Sequence, residues 1–218
     1  LVGDSASMVF AGNDTTLPMK MDEMLYHVRV VTRAVTRALV LADMPFMSYH
    51  KGADEALGNA GRLMQDGMAE AVKLEGGRSI CSIVTRLVDA GIPVMGHLGM
   101  LPQSVLEQGG YRKKGKTPAQ VDELTADAQA LIAAGVFSIV LESVVPDSAR
   151  FLTAELGVPT IGIGCGETTC DGEVAVITDL LGSYPWFVPP FARPEAKLAE
   201  ITREAVARYI SRVTSSGK

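Results

Sequence analysis

Cysteine is scarce in this chain. Its 218 residues hold three, Cys81, Cys165 and Cys170, an odd number without the paired spacing of a zinc site. A disulfide scaffold and a structural zinc centre are excluded, Cys165 and Cys170 read as small packing residues, and a reducing, cytoplasmic setting is expected. Histidine is equally sparse at three residues, which leaves oxygen atoms as the metal donors to consider. No apolar run reaches the ~18 residues of a membrane helix and no signal-peptide pattern opens the chain, so no membrane partner is expected. Basic excess is lacking too, and a net charge of −5 argues against a nucleic-acid partner. Gly162-Ile163-Gly164-Cys165-Gly166 follows a strand-like run but lacks the dinucleotide spacing, and there is no Walker motif.

A hydrophobic content of 47% against 21% charged residues is enough for a sizeable core. No linker, repeat or low-complexity stretch interrupts it, so one domain over 1–218 is expected. Short apolar runs alternate with amphipathic helical segments. The runs are Leu1–Gly3, Arg37–Ala42, Ala71–Leu74, Pro93–Met95, Ser138–Leu141 and Thr160–Ile163, with Val174–Ile177 a weaker seventh. Between them, Ala53–Asp66 is helical, Ser79 is placed to cap a helix ending at Gly91, and Thr117-Pro118-Ala119-Gln120 reads as a capping box. Pro194 opens a last amphipathic helix with Leu198, Ile201, Ala205, Tyr209 and Val213. Alternating β and α segments imply a mainly parallel sheet. Seven runs fit a TIM-type (β/α)8 barrel better than a six-stranded doubly wound sheet. The chain opens at Leu1 inside an apolar run, so upstream sequence is expected to precede it. Met100–Lys116 is the longest irregular piece and reads as an active-site loop.

Several runs end in a residue able to do chemistry. Asp4 and Ser5 follow the first, Asp43 the second, Lys73 and Glu75 the third, His97 the fourth and Glu142 the fifth. In a β/α barrel the strands' C-terminal ends converge on the active-site face. Asp4 or Asp43 alone has a simpler explanation as a helix cap, but Asp43 precedes Met44-Pro45 and Glu75 precedes two glycines, poor contexts for capping. Taken together, Asp4, Asp43 and Glu75 point to a hard cation such as Mg²⁺ or Mn²⁺. Lys73 has three readings: a partner for Glu75, a clamp for a substrate anion, or a Schiff-base nucleophile. Glu142, in semi-apolar surroundings, would have a pKa raised towards a general base's range, or is an ordinary loop carboxylate. His97 either lines the pocket or packs beside it.

These segments resemble the ketopantoate hydroxymethyltransferase family. The likeness is carried by Leu1-Val2-Gly3-Asp4-Ser5, Asp14-Thr15-Thr16-Leu17-Pro18, Ala42-Asp43-Met44-Pro45-Phe46, Val72-Lys73-Leu74-Glu75-Gly76-Gly77, Gly96-His97-Leu98-Gly99, Pro102-Gln103-Ser104, Ile139-Val140-Leu141-Glu142 and Cys170-Asp171-Gly172, in family order. The resemblance implies a barrel of the phosphoenolpyruvate/pyruvate superfamily, with the family's first βα unit preceding Leu1, that binds Mg²⁺ and assembles as a homo-oligomer, a decamer in the family. It implies transfer of a one-carbon unit from 5,10-methylenetetrahydrofolate to 3-methyl-2-oxobutanoate through a Mg-stabilised enolate, giving 2-dehydropantoate for pantothenate synthesis. By the same resemblance Asp4 and Asp43 match metal ligands that also meet the substrate, and Glu75 an outer carboxylate near the ion. Ser5 and Lys73 match groups holding the keto acid, and Glu142 matches the base. Asn13, Met19-Lys20, Lys113-Lys114, Cys165 and Trp186 depart from the usual family residues. The rival readings are another carbon–carbon lyase of the superfamily, a Lys73 Schiff-base aldolase and a non-catalytic oligomeric remnant. The first lacks its Lys-Lys-Cys-Gly-His motif here.

Overall fold

The computed structural model describes residues 1–215, which divide into two compact units, one from Leu1 to Val174 and one from Ala175 onward. Unit one carries α1 (Ala6–Val9), α2 (Met21–Ala34), β1 (Leu41–Asp43), α3 (Ala53–Gln65), β2 (Ala71–Glu75), α4 (Cys81–Asp89), β3 (Val94–Gly99), α5 (Pro118–Ala133), β4 (Ser138–Glu142), α6 (Pro146–Glu155), β5 (Thr160–Ile163) and β6 (Gly172–Glu173). All six strands are parallel, and each pairs with the next in chain order. The result is a curled parallel α/β sheet. Unit two carries α7 (Ile177–Leu180) and α8 (Leu198–Ser215). Among the described residues no helix is long and apolar enough to cross a membrane.

Side chains alternate across a strand, and here the alternation separates two cores. Val72, Leu74, Val94, Leu98, Ile139 and Leu141 join Val84, Leu87, Ala128 and Leu131 in the large cluster beneath the helices. Leu41, Ala71, Met95 and Val140, with Ile161 and Ile163 against them, form a small cluster on the opposite, inner face. Lys73, Glu75, His97 and Glu142 share the period of that inner set and lie nearer the strands' C-terminal ends. The inner face is thus apolar at its base and polar at its top.

The helices begin largely where local chemistry places them. Thr117 Oγ1 accepts the Gln120 N–H at 3.3 Å, Gln120 Oε1 accepts the Lys116 N–H at 2.8 Å, and Pro118 takes the first turn. The Glu23 carboxylate accepts the Lys20 N–H at 2.9 Å at the start of α2.

Four local expectations are corrected. Ser79 does not cap a helix: it sits within a 3₁₀ turn, Arg78–Ile80, which feeds α4 without a side-chain cap. Leu1–Gly3 is not a strand of its own; Val2 makes one parallel bridge to Ala42, donating to Leu41 O at 2.8 Å and accepting from Asp43 N at 2.9 Å. Val174–Ile177 does not form the seventh strand, because the residues that pair with β5 are Gly172 and Glu173, while Ile177 opens α7. The last helix starts at Leu198 rather than Pro194.

Gly99 ends β3 at φ +98°, and a Cβ there would lie 2.3 Å from Glu142 O, the carbonyl that accepts the Met100 N–H at 2.8 Å. Both the left-handed backbone and the close approach require glycine. Gly99→Ala is expected to cost about 1–3 kcal/mol from the backbone strain alone, read as a lower midpoint in urea unfolding.

Candidate active site

Register brings the polar inner residues together. Asp43 pairs with Lys73 across β1 and β2, Glu75 with His97 across β2 and β3, and Gly99 with Glu142 across β3 and β4. Lys73 is buried, with Nζ 2.9 Å from Asp43 Oδ1, 3.0 Å from His97 Nδ1 and 3.5 Å from Glu75 Oε1. Asp4 joins from the turn before α1, its N–H donating to Asp43 Oδ2 at 3.3 Å. Asp4 and Asp43 are therefore not helix caps. Ser5 opens α1 beside them. Its Oγ and Asp43 Oδ2 lie 3.1 and 4.0 Å from the point where a Gly3 Cβ would stand, so any larger residue at Gly3 would press on Ser5.

Proton placement follows from the donors. An ammonium has protons and no acceptor, so His97 Nδ1 accepts from Lys73 and the ring proton sits on Nε2. That nitrogen lies 3.2 Å from Glu142 Oε2. Burial, then the Lys73 charge, pushes the His97 pKa down to about 4, so the ring is neutral near neutral pH. Burial drives the Lys73 pKa down, but the charges of Asp43, Glu75 and Asp4 outweigh it and the net shift is upward. A raised pKa keeps Lys73 protonated, the opposite of what a Schiff-base nucleophile needs. Burial raises Glu142 to about 7 against the opposing pull of Lys73. Asp4 is raised by burial and by Asp43, and Glu75 by burial in spite of Lys73 and His97.

The cluster is short of positive charge and of hydrogen-bond donors. Asp43 Oδ1 and Glu75 Oε1 are buried without a hydrogen bond, the Lys73 ammonium lying out of line, and the donor at His97 Nε2 has no well-aligned acceptor. Such atoms are rare in folded proteins and mark places that a ligand completes. The donors facing them are hard carboxylate oxygens, which suit Mg²⁺ or Mn²⁺. Among the described residues, no three His, Cys, Asp or Glu side chains are already spaced to enclose a metal ion. An ion here would thus also need oxygens from substrate or water.

Two participants carried no role in the sequence reading. Gln103, in the 3₁₀ turn Pro102–Ser104 of the expected active-site loop, is buried and donates from Nε2 to Asp4 Oδ2 and to Met44 O, each at 2.9 Å. Its backbone N–H donates to Glu75 Oε2 at 3.0 Å. Fully buried Tyr49 donates to Gln103 Oε1 at 2.8 Å. The only sequence signal for Gln103 was its place in the Pro102-Gln103-Ser104 motif just past β3.

The model of the ketopantoate hydroxymethyltransferase family matches residues 1–217. The chain belongs to the ketopantoate hydroxymethyltransferase family. It is 52% identical over 209 residues to the 3-methyl-2-oxobutanoate hydroxymethyltransferase of Moorella thermoacetica, covering 96% of this chain and 77% of that protein. It is 49% identical to the Prosthecochloris aestuarii protein of the same name, covering 98% and 78%. The Chlorobium luteolum protein of that name is 47% identical, with 100% and 79% covered. Among solved structures, a protein assigned as a phosphonomutase from Burkholderia cenocepacia superposes with a TM-score of 0.62 at 17% identity, covering 94% of this chain and 83% of that one. A phosphonopyruvate hydrolase solved with oxalate and Mg²⁺ gives 0.58 at 15%, covering 98% and 73%. At those identities the structural likeness speaks for the fold alone.

In this family member the residues singled out from the sequence share one face: Asp4, Asp43, Lys73, Glu75, His97 and Glu142 join through the contacts above, with Ser5 beside them. Lys73→Met is expected to leave Asp43 and Glu75 buried without their cation and to cost about 3–5 kcal/mol, measured by urea unfolding at pH 7. An unchanged midpoint would show that the ammonium does not hold the cluster together.

Proposed function

We propose that this chain transfers a hydroxymethyl group from 5,10-methylenetetrahydrofolate to 3-methyl-2-oxobutanoate, giving 2-dehydropantoate in pantothenate synthesis. The observation that carries this reading is Glu142, a carboxylate pushed to about 7 by burial at the end of β4, on the same inner face as the buried carboxylates of Asp43 and Glu75. Taking a proton from the carbon next to a ketone needs a base near neutrality and positive charge beside the oxygen where negative charge develops.

Asp4 and Asp43 would hold Mg²⁺, with Glu75 in the outer sphere. Bound there, the ion would supply Lewis acidity to the 2-oxo acid. Lys73 faces the same oxygens and balances the substrate carboxylate, with Ser5 placed as a further hydroxyl donor. Glu142 removes the proton from C3 of the keto acid. Water cleaves the folate's methylene bridge to give tetrahydrofolate and formaldehyde. The carbon nucleophile left by proton removal adds to the formaldehyde carbon, and the oxygen takes the proton held by Glu142 to become the hydroxymethyl group. Neutral His97 places Nε2 3.2 Å from Glu142 Oε2, a polar neighbour for the carboxyl group without a well-aligned hydrogen bond.

The six parallel strands in chain order support a TIM-type (β/α)8 barrel. The reading extends to a cytoplasmic homo-oligomer. Its assembly is supported by α8, where no residue is buried and Ile201, Val206, Tyr209, Ile210 and Val213 are exposed.

The test is exchange of the C3 proton of 3-methyl-2-oxobutanoate in D₂O, followed by NMR with Mg²⁺ or with EDTA. Exchange is expected with the metal and not with the chelator. Because the ionised form of Glu142 is the base and its pKa lies near 7, the rate should rise with pH, level off above about 7 and fall roughly tenfold per pH unit below it. Glu142→Gln is expected to keep keto-acid binding and lose about 10²–10⁴-fold in exchange; wild-type exchange in that variant would rule out Glu142 as the base.

A further inference from the structure

Gln103 touches three of the carboxylate-bearing segments at once. Its side chain donates to Asp4 Oδ2 and to the carbonyl of Met44, which follows Asp43, while its backbone N–H donates to Glu75 Oε2. Both amide protons are used, and the amide oxygen is taken by the Tyr49 hydroxyl. A flipped amide would set its oxygen against Asp4 Oδ2 and Met44 O, two acceptors with no proton between them. Tyr49 is held in turn, because its hydroxyl accepts the Glu75 N–H at 3.3 Å and lies 3.1 Å from Glu75 O. The orientation of Gln103 is therefore set jointly by Asp4, the Met44 carbonyl and the Tyr49 hydroxyl.

We propose that Gln103 is a positioning residue, whose amide, oriented by the Tyr49 hydroxyl, binds one oxygen of Asp4 and leaves the other to ligate a divalent cation. Asp4 enters from the turn before α1 and has no strand of its own to fix its side chain. Without the amide, its carboxylate would be free to rotate towards the Lys73 ammonium, forming an ion pair that competes with the cation. Groups that orient ligands in this way typically contribute about 10–100-fold to metal affinity. The inference rests on the reading of Asp4 and Asp43 as the cation site.

The experiment uses the full chain and Mn²⁺ as probe, with affinity and ligand symmetry read by EPR and folding followed by near-UV CD and urea unfolding. Gln103→Met keeps the side chain's length and the backbone N–H to Glu75 but removes both amide donors. It is expected to weaken Mn²⁺ binding about 10–100-fold and to change the EPR line shape of the bound ion. Tyr49→Phe, which keeps both amide donors of Gln103 but removes the hydroxyl that holds its amide oxygen, is expected to shift affinity the same way by a smaller factor. It carries the test should Gln103→Met not fold. Wild-type Mn²⁺ affinity in both folded variants, with only a lower urea midpoint, would overturn the positioning role and leave Gln103 a structural residue. Failure of the wild-type chain itself to bind Mn²⁺ would overturn the cation-site reading beneath it.

Discussion

The buried ammonium of Lys73 is the constraint around which the inner face is arranged. At an effective dielectric of about 20, unit charges 3–4 Å apart attract by on the order of 4–5 kcal/mol, so Asp43 and Glu75 together can offset what burial costs Lys73. The balance is two-sided, since those carboxylates are themselves buried and depend on the ammonium. Strand register maintains the distances: Asp43 faces Lys73 across one pair of strands and Glu75 faces His97 across the next. The same ammonium decides a proton elsewhere, because its contact with His97 Nδ1 directs the ring's N–H towards Glu142.

Such a cluster is costly, and the sheet carries it by dividing labour between its faces. The helix-facing residues of β2, β3 and β4 are apolar throughout and pack into the large core. The inner face contributes only a small apolar cluster at its base, and that base closes the site from below. Burial under these conditions is what raises Glu142 into the range useful to a base. Stability is thus drawn from one side of each strand and reactivity from the other.

Much of this is legible in the sequence. Short, mostly apolar runs alternating with helix signals marked β2 to β5, and the residues at or near their ends are the ones that meet. Helix α5 was legible because its cap, its proline and its stripe are all local. The failures share a cause. Val174–Ile177 has the composition of a strand, but the backbone that completes β5's pairing is Gly172 and Glu173, which have none. Leu1–Gly3 is apolar yet contributes a single bridge. Ser79 has the right chemistry for a cap, but a tighter turn occupies its place. In each case the outcome depends on which partner the backbone finds.

Local order, by itself, determined the alternation of strand and helix, the identity of the residues at the strand ends, and the family motifs that contain them. Those properties reside in neighbouring residues and their periodicity. Tertiary structure alone decided that Gln103 would reach Asp4 from a position 99 residues away, that Tyr49 would hold it, and that His97 would carry its proton on Nε2. It also decided which oxygens of Asp43 and Glu75 would be left without a donor. Hydrogen-bond pairing and desolvation depend on what surrounds a group in space, and spacing along the chain carries no record of that.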